Sequence, residues 1–241
     1  KEESHEEIMI LLQLTSRVRE KKAELLFNLS LLEKFDITYA KAQMSRALNA
    51  SEPALNENGQ IQLTACKHPI LLARFETIPV SGETPLEPQE KTERLFFDAP
   101  QIVPITIHMD TDISTLIVTG ANAGGKTVTL KTLGLLSLMA QTGMHIPAAE
   151  GSTLPVFHSI FADIGDEQNI EESLSTFSAH IRRLDQIIKE ADKKSLVLID
   201  ELGAGTDPSE GAALGLAVLD YLRARNVSVA LTTHMTLLKT Y

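Results

Sequence analysis

From Thr115 onward, short apolar runs alternate with stretches of helical periodicity. Residues 116–119, 196–200 and 227–232 form the runs, and 126–140, 174–189 and 210–225 carry apolar residues at three-and-four spacing. Runs this short, apolar at nearly every position, suit strands buried on both faces. Strands separated by helices must pair in parallel, with the helices covering the sheet. The expected fold is therefore α/β, a mostly parallel sheet flanked by helices, and in such sheets ligands bind beyond the carboxyl ends of the strands. No repeat of fixed period is present, which excludes solenoids and propellers.

Upstream, Ile8, Leu11, Val18, Leu25, Leu29 and Leu32 recur at helical spacing with no Gly or Pro between them, predicting one long amphipathic helix. Asp36 sits where a new N-cap would stand, before a shorter helix that Asn49 and Pro53 end. These helices form an N-terminal arm over residues 1–52, which a lever, a dimerisation helix or half of a larger helical domain would all explain. The remainder, 53–241, reads as the main domain. Between Pro53 and Pro104 the periodicity fades, with a turn at Asn58-Gly59, a short strand at 60–63 and a Pro- and Glu-rich mobile loop at about 79–93.

Composition narrows the function. With 22 basic and 32 acidic residues the formal charge is −10, and the first 50 residues are balanced at eight of each sign, so the excess lies in 51–241. That part has no general positive charge with which to hold nucleic acid. No apolar run approaches the roughly 18 residues of a membrane-spanning helix. A single cysteine, Cys66, and no signal-like segment favour a reducing, cytoplasmic setting. Beginning on Lys1 and ending on Tyr241 just after an apolar run, the chain reads as a fragment of something longer.

The chemistry concentrates after the first apolar run, at Gly120-Ala121-Asn122-Ala123-Gly124-Gly125-Lys126-Thr127. A glycine-rich loop between strand and helix lets backbone N–H groups curl around phosphates, and the helix N-terminus adds partial positive charge. The lysine reaches the outer phosphates and the threonine can ligate Mg²⁺. These eight residues and Val128 are the candidate nucleotide contacts. The bland alternative, a glycine-rich turn that happens to precede Lys-Thr, is disfavoured by the strand and helix on either side. Residues 196–199 then end in Asp200 and Glu201, the first suited to the Mg²⁺ shell and the second to orienting or deprotonating a water. Asp200 to Gly203 also fits the Asp-x-x-Gly pattern of GTPases, but no Asn-Lys-x-Asp segment follows, which favours ATP. His234, after an apolar run and Thr232-Thr233, falls at another strand end, where it can sense a γ-phosphate or simply be satisfied by backbone. Ser175 and Thr176 open a helix whose apolar stripe is Leu174, Phe177, Ile181, Leu184 and Ile188; they either cap it or face an anion. The acidic stretch 163–172 reads as a solvated loop.

Taken together, 119–135 (TGANAGGKTVTLKTLGL), 143–148 (GMHIPA), 163–178 (DIGDEQNIEESLSTFS), 198–214 (LIDELGAGTDPSEGAAL) and Thr232-Thr233-His234 resemble the ATPase domain of MutS proteins. That domain is a branch of the ABC-type P-loop ATPases, and the Thr206-Asp207-Pro208 and Glu210-Gly211-Ala212-Ala213 elements resemble its type-two, endonuclease-associated branch. The resemblance implies an ATP-dependent, head-to-tail homodimer with two ATP molecules at the interface. Each would lie on one subunit's Lys126 and Thr127 and be closed over by the partner's Ser175 and the partner's Thr176. Asp200 and Glu201 would serve metal and water, 203–207 the subunit-crossing loop, and His234 the γ-phosphate. Lys67-His68-Pro69 would be structural. Gly120-Ala121-Asn122 replaces the family's Gly-Pro-Asn, and Pro104-Ile105-Thr106 replaces its Pro-Asn-Asp near the adenine, so no residue is assigned to the base. The implied function is an ATP-hydrolysing dimerisation motor, acting on branched DNA to restrain recombination or on stalled and collided ribosomes, through a clamp and a nuclease module not seen in this chain. A mismatch-repair MutS ATPase and an ATP-gated scaffold with little turnover are the rival readings.

Overall fold

The computed structural model describes residues 2–75, 102–121, 124–165, 173–235 and 237–240. The expected mobile loop at 79–93 lies outside them. Two compact units, Lys1–Met44 and Ser45–Tyr241, divide the chain.

The arm is built from α1 (Glu2–Glu20) and α2 (Lys22–Ala47). The helix therefore breaks at Lys21, whose N–H reaches back only to Val18, and not at Asp36. Without Gly or Pro nearby, one aspartate costs a helix interior only a few tenths of a kcal/mol, roughly. The ladder carries on through it, with the Thr38 hydroxyl donating to the Lys34 carbonyl. No residue of α2 is buried, and within this unit Phe35 is 69% exposed and Leu32 63%, so the arm has no core of its own among the described residues.

In the second unit, β4 (Thr115–Val118), β6 (Ser159–Asp163), β7 (Ser195–Ile199) and β8 (Ser228–Thr232) make a sheet in the order β4-β8-β7-β6, parallel throughout. Period-two alternation divides its faces. Leu196, Leu198 and Ala230 share a core with Leu130, Leu133 and Leu136 of α4 (Lys126–Gln141). Val197, Ile199, Val229 and Leu231 point the other way, onto Leu184 and Ile187 of α5 (Ser173–Glu190) and Val218, Leu219 and Leu222 of α6 (Pro208–Ala224). Both faces are thus covered, as the unbroken apolar runs require. Gly134 lets α4 sit close to the sheet, since a Cβ there would stand 2.7 Å from Leu198 Cδ1.

A second sheet was not legible in advance. β1 (Ala54–Asn56), β5 (Thr153–Pro155), β2 (Ile61–Cys66) and β3 (Ile105–Met109) pair in that order, with β2 antiparallel to both its neighbours. The short strand expected at 60–63 is longer, and a register shift between Leu63 and Cys66, with Ala65 at φ 47°, interrupts its alternation. Ile61, Leu63, Ile107, Met109 and Leu154 nevertheless join the core of α4. His68, buried before α3 (Pro69–Phe75), accepts at Nδ1 from the Leu71 N–H (3.4 Å), while Lys67 N–H donates to the Pro147 carbonyl (2.8 Å). Burial first, and the charge of Lys131 second, hold the His68 ring below the ordinary imidazole value.

Candidate functional site at the carboxyl edge of the parallel sheet

Strand register levels the ends that matter. Val118 lies beside Thr232, Leu231 beside Ile199, and Ile199 beside Asp163. Gly120, Asp200, Glu201 and His234 all follow these ends within two residues, so parallel pairing brings together groups far apart in sequence. The loop after β4 opens α4 at Gly125, whose φ of 77° is the left-handed conformation that glycine adopts without strain. Gly125 itself offers no side chain to cap that helix end. A Cβ built on Gly120, Gly124 or Gly125 would meet nothing within 4 Å, so this face of the loop is open to a bulky anion. Ala121 is exposed; Asn122 and Ala123 lie outside the described residues. Thr127 is half-buried on the first turn of α4, and Val128 is exposed with its carbonyl bound by the Thr132 hydroxyl.

Lys126 is 6% exposed, and its Nζ donates to the Gly120 carbonyl (2.8 Å) and to His234 Nε2 (3.1 Å). The same Nε2 lies 3.3 Å from Glu201 Oε1. Bare, that nitrogen accepts from the ammonium; protonated, it donates to the carboxylate. His234 therefore sits as a relay between cation and acid, and both it and Glu201 are nearly half exposed.

Thr232, read in sequence only as a polar residue before His234, organises the acidic pair. Its hydroxyl donates to Asp200 Oδ1 and accepts from the Glu201 N–H (2.8 Å), and the side chain is wholly buried. Glu201 has φ 54°, a conformation uncommon for a non-glycine residue, stabilised by that bond and by the Leu202 N–H donating to the Thr232 carbonyl (3.0 Å). A strand-end hydroxyl aligned with a neighbouring strand-end acid was the available signal, but it needed the strand register. Beyond Glu201, the turn through Gly203 and Gly205 packs on α6 so closely that a Cβ on Gly211 would stand 2.1 Å from the Gly203 carbonyl oxygen. Asp207 caps α6, accepting from the Ser209 N–H (2.9 Å) and the Glu210 N–H (3.4 Å).

The reading of 163–172 as a solvated loop needs correction at its start. Asp163 is the last residue of β6, 7% exposed, and paired with His180 and Arg183 of α5. Residues 166–172 lie outside the described ones. Ser175 and Thr176 fall in the first turn of α5, where the backbone alone is described. The Pro104-Ile105-Thr106 segment leads into β3, and Thr106 Oγ1 accepts from the Ala65 N–H (3.2 Å), so it is tied into the mixed sheet.

A cleft of about 1080 Å³ opens at the other end, among the amino termini of the parallel strands, lined by Ser114, His158, Lys194 and Ser228. Its lining carries charges of both signs, among them Asp110, Lys194 and Arg223. Among the described residues, no helix is long and apolar enough to cross a membrane, and no three His, Cys, Asp or Glu side chains gather to hold a metal ion.

Comparison with known proteins identifies a family for this part of the chain. The family model described as MutS domain V matches residues 116–241, which begin on β4 and contain the whole carboxyl-edge site. The protein called endonuclease MutS2 in Geobacillus sp. strain WCH70 is 45% identical over 232 residues, 96% of this chain and 26% of the relative. The proteins of the same name in Lachnospira eligens and Listeria monocytogenes serotype 4a are 44% identical over 97% of this chain and 46% over 90%, covering 26% and 24% of their own lengths. The chain thus spans about a quarter of these relatives. With a parallel sheet, a glycine loop and the matched family model coinciding over more than half its residues, the chain belongs to the MutS domain V family.

Proposed function

We propose that the chain is the ATP-binding and ATP-hydrolysing part of a type-two MutS protein, built on the ABC-type plan and pairing with a second copy when ATP is bound. The observation that carries this reading is the convergence of Lys126, Asp200, Glu201 and His234 at one sheet edge, with Lys126 and His234 in contact across 108 residues of sequence.

The loop 120–127 binds the phosphates through backbone N–H groups and the N-terminal end of α4. Lys126, held by the Gly120 carbonyl, needs only a small reorientation to meet the outer phosphates. Thr127 and Asp200 would hold Mg²⁺, which supplies neutralisation of charge between the phosphates. A site with one carboxylate and one hydroxyl suits that ion, because Mg²⁺ keeps several waters and shares its remaining positions with phosphate oxygens. Glu201 orients and deprotonates the attacking water. His234 reads the γ-phosphate end, because it already touches both the lysine that binds that phosphate and the acid that acts on the water. The first turn of α5, with Ser175 and Thr176, closes over the nucleotide of a second copy, while residues 1–52 act as lever and 53–241 as motor. The whole protein's targets, branched DNA or stalled ribosomes in the cytoplasm, are reached through the three quarters of the relatives' length outside this chain.

Light scattering on the Glu201→Gln chain with and without Mg-ATP tests the reading. ATP should convert monomer to dimer. Retained ATP binding with unchanged mass would sink the dimerisation claim for this chain, and absence of ATP binding would sink the reading altogether.

A further inference from the structure

Resting on the hydrolytic reading above, we propose that Asp163, His180 and Arg183 form a clamp that positions the first turn of α5 against the Asp200 end of β7, and that turnover depends on it. Asp163 ends β6 and makes three kinds of bond at once. Its Oδ2 is paired with His180 Nδ1, its Oδ1 accepts from Arg183 NH1 (3.1 Å), and its carbonyl accepts the Asp200 N–H (2.8 Å). One buried residue therefore links a helix face to the backbone of the residue placed at the metal.

His180 and Arg183 are three residues apart on α5 and so share a face. Burial by itself would push the Asp163 carboxyl up, yet the hydrogen bonds and charges of His180 and Arg183 hold it below the ordinary aspartate value. A buried pair of this kind adds little net stability, because desolvation offsets the attraction, but it is directional and so selects one orientation. Direction matters here because of where the pair lies. The buried side chains described on α5, Leu184 and Ile187, are C-terminal to His180. The His180–Asp163 pair lies about one and a half turns from Ser175, within the N-terminal half of the helix. Apolar contacts at Leu184 and Ile187 hold the helix to the sheet, and this polar contact adds a directional constraint on its rotation nearer the first turn.

The test uses the whole 241-residue chain. His180→Leu should lower kcat for ATP about tenfold while KM stays within about twofold, and His180→Asn, which keeps an N–H near the position of Nδ1, should recover most of the loss. Amide hydrogen exchange supplies a readout that needs no turnover. His180→Leu should speed exchange at 178–183 while α4 keeps the protection it has in the parent chain. Unchanged kcat in an active parent, a loss that His180→Asn does not relieve, or exchange that is unchanged at 178–183 or faster in every helix alike, overturns the clamp. A parent chain that does not hydrolyse ATP overturns the hydrolytic reading instead, and the exchange result alone then decides the clamp.

Discussion

The two sheets of the main unit share one core but obey different rules. The parallel sheet is apolar at nearly every position of β7 and β8, is covered on both faces, and delivers its strand ends together, so polar groups from distant segments meet at one edge. The mixed sheet has two three-residue strands, a register shift in β2 and a core on one face. One sheet gathers polar side chains at an edge and the other packs against α4, the helix that follows the glycine loop. The lesson is that parallel pairing, by levelling carboxyl ends, makes a site, while antiparallel pairing of short strands mainly closes a core.

That division of labour can be broken experimentally. The largest effect is expected from Glu201→Gln, which should slow ATP hydrolysis by about 10² to 10⁴ and leave thermal stability nearly unchanged, because the side chain is half exposed. In the mixed sheet the balance should reverse. Leu63→Ala, at a position with no exposed surface, should cost about 2–5 kcal/mol in denaturant unfolding, with ATP affinity of the folded protein unaltered. A folded Leu63→Ala chain with strongly reduced affinity would show that the sheets do not divide the work in this way.

Gly211→Ala probes the turn between Glu201 and α6. The added methyl meets the Gly203 carbonyl at 2.1 Å, so about 1–3 kcal/mol of destabilisation and altered amide shifts over 203–207 are expected by calorimetry and NMR. At neutral pH the smallest effect belongs to Cys66, which is wholly buried and whose thiol burial pushes up to about 11 from the ordinary 9.0. The native state binds that proton more tightly than the unfolded chain, so stability is intact below about pH 9 and falls as pH climbs from there through about 11. The full loss is on the order of 2 kcal/mol. Cys66→Ala should flatten this alkaline limb, and native Cys66 should resist alkylation at pH 8.

Much of the parallel sheet was readable because burial on both faces leaves an unbroken apolar run, as in residues 196–199. β6 escaped notice because Ser159 and Ala162 are exposed on an edge strand, which gives neither a run nor a clean alternation. The break expected at Asp36 failed for a similar reason: a cap needs the chain to leave the helix, and nothing there makes it do so. In the site, Lys126, Thr127 and Asp200 were legible because each lies within a short contiguous pattern. Thr232 and the Asp163–His180 pair were not, since a hydroxyl and an acid 32 residues apart, or an acid and an imidazole 17 apart, carry no signature until the strands are placed.

The sequence by itself determined the elements and the local composition: an α/β order from the spacing of apolar residues, and a glycine-rich loop whose glycines and lysine are adjacent along the chain. Tertiary structure alone decided which groups face one another. The register of β4, β8, β7 and β6 sets Lys126 against His234, His234 against Glu201, and Thr232 against Asp200. It also placed Asp163 in the interior with His180 and Arg183 around it. Local propensity is settled over a few neighbouring residues, whereas contacts across a sheet are settled by the burial of the whole core.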